Sequence, residues 1–379
     1  MKNKIINVFC IGSVSGDYRT KNSLNFFLNN KKYRIYYNDF FAYYPSDKSS
    51  KLLQIKIIIY KLFSFLPSLF YMFHADIIYL FAMQHGSFPV KIAYFFKRKI
   101  ITDFYISFYD TEVNDRKNYK PNSRKAKAAK KHDKKAIICS RLVFFLNQSE
   151  ANYYTKILDI DITKINYRIL PLCIDEKLPA NLDYFHKKRK CLNLCWCGSY
   201  IPLQGLDVIF KAVSLLRKLD LHLYIWGSSN KISEEYSGLI DDLNIRDIVT
   251  IHNGWGGDNI KQWENFIVDV CDISLGIFGQ SMKAKTVIAN KVIDGIAFRT
   301  PVITAFSSGL QEYFSENNGI YLTQNTPESL AEMIINVSKI KLTDLNLDKA
   351  YNIYKNHFSP ESFTKKLSIF LEEIITKTY

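Results

Sequence analysis

The chain has 379 residues, 47% of them hydrophobic, enough for two domains with full-sized cores. Seven cysteines, an odd number without paired zinc spacing, argue against a secreted disulfide scaffold; Cys191, Cys195 and Cys197 sit in or beside an apolar strand pattern that buries cysteines without a metal. The net charge of +15 is unevenly divided: residues 1–190 hold 34 lysines and arginines against 15 acids and the remainder 17 against 21, so one half suits an anionic partner.

Met1–Lys4 runs directly into the first strand pattern, Asn7–Gly12, which predicts no signal peptide. Gly12 and Gly16 flank the loop after it, where backbone can approach a ligand; a tight turn has the same composition. A helix is expected over Lys21–Asn29 and a strand over Tyr33–Tyr37. Lys51–Phe73 is aromatic-rich and broken only by Lys51, Lys56 and Lys61. It fits a core helix that ends near Pro67 and equally an interfacial segment whose lysines reach lipid headgroups. The uncharged run Leu62–Ala75 is too short to span a bilayer, so the expected location is cytoplasmic, or peripheral on the inner face of the membrane.

Ile77–Ala82 and Ile100–Tyr105 read as buried parallel strands. His85 follows the first. The acidic stretch Ser107–Arg116, with Asp110 and Glu112, follows the second, where open α/β sheets bind ligands. A solvated turn would also account for the acids, and a structural role for the histidine. Arg116–Lys135 holds ten basic residues and one acid, Asp133. A solvated helical face explains it, as does an anionic lipid surface; no nucleic-acid fold motif accompanies it. Strand Leu142–Leu146 and helix Ser149–Leu158 then lead to a polar linker, Ile174–Lys190.

A second alternation begins at Leu192. Strands Leu192–Cys197, Leu221–Trp226 and Ile248–His252 alternate with helices Gly205–Leu219, Ser233–Leu243 and Asn259–Val270, the order of a doubly wound parallel sheet. Gly198–Asp207, with Gln204, follows the first strand. The sequence HNGWGG, with Gly254 and Trp255, follows the third; Trp255 either stacks on a base or packs the domain. Strand Ile273–Phe278 leads into a loop carrying Lys283, Lys285 and Thr286. Asn290 is placed to cap the next helix, whose apolar face is Val292, Ile293, Ile296 and Ala297, with Lys291 and Asp294 on the other side. A helix N-terminus with lysines around it suits a diphosphate, and Asp294 one turn in can accept from two neighbouring hydroxyls such as those of ribose. A plain strand–helix–strand unit with surface lysines reads the same. A final helix starts at Ser359-Pro360-Glu361.

Three of these stretches, Tyr109–Thr111 with Asp115-Arg116, Gly198–Asp207 and Leu275–Thr304, resemble the family 4 retaining glycosyltransferases of the GT-B fold that build bacterial surface glycans. The resemblance implies two Rossmann-like doubly wound domains facing across a cleft: an acceptor domain over 1–180, a donor domain over 181–358, and a helix over 359–379 crossing back to the first. It implies sugar transfer, with retention, from a nucleoside-diphosphate sugar to a glycan or lipid-linked acceptor in surface polysaccharide (lipopolysaccharide or capsule) synthesis. Asp110, Lys291 and His85 are the candidates at the reacting centre. Gly12, Gly16, Gly198, Gln204, Gly254, Trp255, Lys283, Lys285, Thr286, Asn290, Lys291 and Asp294 are the donor-binding candidates. Neither cofactor nor metal is expected if lysines and a helix dipole meet the departing diphosphate. The expected partners are the donor, the acceptor and an anionic membrane surface, without nucleic acid. Three positions depart from the family pattern: its ribose-binding Glu is Asp294, the position eight residues earlier, often Glu, is Thr286, and its loop Lys is Gln204, which shifts phosphate contacts to Lys283, Lys285 or Lys291. Two other readings stay open: a GT-B nucleotide-sugar epimerase, and a non-catalytic basic protein binding membrane or nucleic acid.

Overall fold

Short, largely apolar runs become the inner strands, mostly buried on both faces as parallel sheets require, while the edge strands Tyr33–Asn38, Tyr167–Ile169 and Val249–Asn253 carry polar residues and stay partly exposed. In the first half the strands are β1 (Ile6–Ile11), β2 (Tyr33–Asn38), β3 (Ile77–Leu80), β4 (Ile100–Asp103), β5 (Leu142–Phe145) and β6 (Tyr167–Ile169). In the second they are β7 (Leu192–Gly198), β8 (Leu221–Gly227), β9 (Val249–Asn253), β10 (Ile273–Leu275), β11 (Val302–Ala305) and β12 (Ile320–Thr323). The structure, a computed structural model, describes residues 5–12, 18–38, 55, 66–82, 88–177, 191–254, 260–315, 318–341 and 344–376. Among these the strands form two six-stranded sheets in the orders β2-β1-β3-β4-β5-β6 and β12-β11-β10-β7-β8-β9. All pairs are parallel, with Val8 between Ile35 and Ile77, for example. The expected pair of doubly wound domains is observed.

The chain divides into two units, Met1–Pro171 with Thr364–Tyr379, and Leu172–Phe363. The last helix, Pro360–Thr376, begins in the second unit and continues in the first. Within the first unit it buries Leu367, Leu371 and Ile374 and sets Phe370 6.0 Å from Phe144. Burying each such side chain contributes about 1.5–3 kcal/mol, more than its two half-exposed ion pairs, Lys32–Glu372 and Arg168–Glu373.

Strand alternation explains the cysteine run. Leu194 and Trp196 of β7 pack on one face with Leu206, Phe210 and Ile303. Cys195 and Cys197 point to the other, into a cluster with Trp226, Trp263 and Cys271. All the described cysteines are free thiols.

Several boundaries move. β10 stops at Leu275, three residues before the expected end, because Phe278 leaves the ladder and donates its N–H to Gln204 O at 3.0 Å. Helical structure continues past Pro67, over 66–74, where one of the two readings, a core helix, placed its end; the stretch before 66, apart from residue 55, lies outside the described residues. No described helix is long and apolar enough to cross a membrane.

Candidate functional site

In the second sheet the chain order reverses between β7 and β10: β8 and β9 lie to one side, β11 and β12 to the other. Open α/β sheets bind ligands beyond the carboxyl ends of strands at such a reversal. Two segments meet there, the loop after Gly198 and the stretch after Leu275. Gly205, at φ 65°, makes the meeting possible: a Cβ on it would stand 2.3 Å from the carbonyl carbon of Phe278, a backbone atom that cannot swing aside. Gly205→Ala is therefore expected to destabilise the protein by about 1–3 kcal/mol and to weaken ligand binding at this end of the sheet. Chemical denaturation, with thermal shifts against nucleoside diphosphates, measures both.

Lys291 is the second residue of the helix Asn290–Ala297 and is buried. Its Nζ donates to Gln204 Oε1 at 2.6 Å and stands 3.8 Å over the Trp196 ring. Gly198 leaves it room, since a Cβ there would come within 2.7 Å of Nζ. Burial lowers its pKa to about 7, against a small opposing effect of Cys197. The amine is thus poised at neutral pH, and a bound anion would hold it charged. With Gln204 Oε1 facing the amine, the amide nitrogen remains as a donor. One expectation is corrected here. Ala289, not Asn290, occupies the extended cap position, and no side chain caps this helix; Asn290 is its first residue and is exposed. The first-turn N–H groups of the helix are thus not taken up by a capping side chain.

Asp294, one turn on, is also buried, and its Oδ1 has no hydrogen-bond partner. Lys177 Nζ lies 4.0 Å from that oxygen, pairs with Glu264 and sits 5.7 Å from the Phe298 ring centroid. Burial raises Asp294 to about 7; Lys177 opposes the rise and Glu264 and Asp175 add to it. Sequence reasoning missed Lys177 and Glu264, which reach Asp294 only through the fold. The Thr286 hydroxyl donates to the carbonyls of Met282 and Lys283, both at 3.2 Å, within its own turn. Lys283 is half-buried and Lys285 exposed on that turn, and Lys285 O accepts the Ser308 N–H at 2.9 Å. Gly254, at φ 74°, follows β9, and its N–H bonds Ser229 O at 2.9 Å. Gly12 follows β1 in the other unit, its carbonyl accepting from Tyr37 at 2.8 Å. Gly16, His85 and Trp255 lie outside the described residues.

In the first unit Asp110 opens a single π-helical turn, Asp110–Asp115, a rare geometry that recurs at functional sites. It is fully buried. Oδ1 accepts from Tyr153 Oη at 2.5 Å and Asn114 Nδ2 at 2.9 Å, while Oδ2 has no hydrogen-bond partner. The turn is held from below. Ser107 Oγ accepts the Asp110 N–H at 3.0 Å and donates to Asp133 at 2.6 Å, and Asp133 also takes the Tyr109 N–H at 2.9 Å. Asp133, the one acid in the basic run, is thus a buried anchor. Glu112 instead accepts from Asn118 at 3.0 Å and lies 4.0 Å from Arg116. Arg19, also missed, is fully buried against Asp103 at 2.7 Å and bonds the carbonyls of Leu170 and Pro171.

Residues 192–339, all within the second unit, match the family model described as glycosyl transferases group 1. No curated protein matches the chain. Solved structures match over nearly its full length. The sucrose-phosphate synthase of Thermosynechococcus elongatus matches with a TM-score of 0.72 at 11% identity, over 98% of this chain and 100% of that one. The fold is GT-B. A glycosyltransferase from Rickettsia africae matches with a TM-score of 0.65 at 14% identity, over 99% and 100%. The HepE protein of Anabaena, solved with UDP-glucose, also gives 0.65, at 13% identity over 97% and 100%. In this GT-B chain the matched family segment includes Gly198, Gln204, Lys291 and Asp294.

Proposed function

We propose that the protein is a retaining glycosyltransferase that moves a sugar from a nucleoside-diphosphate sugar to a glycan or lipid-linked acceptor in bacterial surface-polysaccharide synthesis. The observation that carries this reading is Lys291: an amine buried beside Gln204 and Gly198 at the start of an uncapped helix, where the sheet reverses. Such a group is unfavourable without an anion and favourable with one. The orphan oxygen of Asp294 suits a hydroxyl of the donor's ribose. The family match over 192–339 and the fold shared with a UDP-glucose-binding protein support the same class of donor.

In this reading the diphosphate takes its hydrogen bonds from the first-turn N–H groups, Lys291 and the Gln204 amide. As the bond to the anomeric carbon breaks, negative charge grows on the diphosphate, and these preorganised donors stabilise it without a metal. With retention on one face, the departing phosphate takes the acceptor's proton. Asp110, with one oxygen fixed by Tyr153 and Asn114, offers its other to a sugar hydroxyl or to positive charge at the anomeric carbon.

The test is a thermal-shift panel of UDP, GDP, ADP, CDP and TDP, then the matching sugars, with and without EDTA. One base is expected to stabilise by about 2.7 kcal/mol at 100 Kd, unchanged by EDTA and mostly lost in Lys291→Ala. Absence of any nucleotide shift, or a shift that Lys291→Ala leaves intact, defeats the reading. Donor turnover without acceptor identifies an epimerase instead.

A further inference from the structure

The first unit exposes apolar side chains that no core explains. On the helical stretch 66–74, Leu66 is 70% exposed and Phe70 57%; on and after the helix Phe88–Phe95, Phe95 is 79% exposed and Phe96 53%. They belong to one patch. The Phe96 ring is 5.1 Å from Phe73 and 5.2 Å from Phe95, edge to face, and Arg98 ties the two segments by donating to the carbonyls of Phe73 and Ala75 at 3.1 and 2.6 Å. Contiguous exposed apolar surface of this kind marks an interaction site.

Its border is lysine. Tyr94, on the same helix as Phe95, carries Lys135 over its ring at 5.3 Å. That contact joins the patch to the helix Arg124–Ile138, whose Lys131, His132 and Lys135, with Lys91 of the helix Phe88–Phe95, line a hollow of about 240 Å³. A broader hollow of about 570 Å³ continues along the helix past Lys127 and Lys134 to Ile138, which is exposed. The helix presents this face because its opposite side is fixed: Ala126, Ala129, Ala136 and Ile137 are buried, and Asp133 holds Ser107 and the Tyr109 N–H.

We infer that this face docks on an anionic lipid bilayer, the phenylalanines entering the interface and the lysines meeting headgroup phosphates. Charge complementarity selects this occupant. Exposed aromatic and aliphatic side chains beside a field of flexible ammonium groups match a surface that is apolar at one depth and diffusely anionic at another. A folded protein partner would meet a border of solvated lysines, which interface cores exclude. The inference does not depend on the enzymatic reading, since binding is measured without substrate.

The test is co-sedimentation of the full chain with vesicles of phosphatidylcholine alone and of equimolar phosphatidylcholine and phosphatidylglycerol. Binding is expected only to the anionic vesicles and is expected to fall as salt rises. Phe95→Ser with Phe96→Ser, and separately Lys131→Glu with Lys135→Glu, should each weaken partition about tenfold or more, near fivefold per lysine charge lost. Lys218→Glu, on an exposed site of the second unit, should leave it unchanged. Phe95 and Phe96 are exposed and touch only each other and Phe73 among the described aromatic rings, Lys131 is exposed, and the Lys135 amine covers the Tyr94 ring, so thermal melts of each variant verify folding. Equal binding to both vesicles, no binding to either, or folded variants that bind as the parent overturns the proposal. So does retention by an oligonucleotide column that depends on the same residues while vesicles are ignored.

Discussion

Asp110→Asn is expected to slow sugar transfer by about 100-fold or more and to leave nucleoside-diphosphate affinity nearly unchanged. The substitution keeps the shape of the side chain. Its amide oxygen can still accept from Tyr153 and Asn114, so the turn Asp110–Asp115 should hold. What disappears is the capacity for a full negative charge on a buried side chain whose Oδ2 has no hydrogen-bond partner. In a water-poor site, loss of a preorganised charge is worth far more than at a surface. Affinity should persist because the proposed diphosphate contacts belong to Lys291 and the helix start. Glu112→Gln is the control: Glu112 lies beside Arg116 and accepts from Asn118, and its loss should matter little. Transfer rates and diphosphate affinities of both variants, with the donor found by the nucleotide panel, decide the matter. Near-normal transfer in Asp110→Asn with collapse in Glu112→Gln would move the role to Glu112.

Lys291→Met is expected to do two opposite things: stabilise the ligand-free protein by on the order of 2 kcal/mol at neutral to mildly alkaline pH, and remove most of the shift given by the nucleoside diphosphate. Burial lowers Lys291 from 10.5 to about 7. Between those values the unfolded chain binds a proton that the folded chain does not, so this group's contribution to stability rises with pH. Asp294 is raised from 3.8 to about 7. Between those values the folded chain holds a proton that the unfolded chain does not, so its contribution falls as pH rises. Together they place a minimum in ligand-free stability near pH 7. Lys291→Met should erase the rising limb, and Asp294→Asn the falling one. Denaturation at a series of pH values, with and without the diphosphate, reads both limbs. A parent stability curve without the rise between about 7 and 10 would mean that the amine is hydrated and charged. In the proposed role, binding competence is held at the expense of stability.

Much of the fold was legible in the chain itself, because parallel strands buried on both faces must be written as unbroken apolar runs. β3 and β5 are such runs, and β1, β4, β7 and β8 come close to one, broken only by Asn7, by Thr102 with Asp103, by Asn193 and by His222. The alternation of these runs with helical periodicity dictated two doubly wound sheets, and Pro360 with the stripe Phe363, Leu367, Leu371 and Ile374 dictated the last helix. Of the site, the Lys291–Asp294 pair was legible because residues three apart on a helix share a side. Tertiary structure alone decided what that pair touches. Lys291 meets Gln204 and Trp196 only because β7 and β10 pair across residues far apart in sequence. Lys177 and Glu264 reach Asp294, and Tyr153 reaches Asp110, by the same kind of long-range packing. The cap at Ala289 rather than Asn290 turns on one backbone dihedral, which a favourable residue type cannot fix when the preceding loop sets the chain's entry angle. Phe95 and Phe96 have the composition of a core; the sheet buries Val90 and Ala93 from the same helix and leaves those two rings outside, because one helix face is all that a sheet can cover.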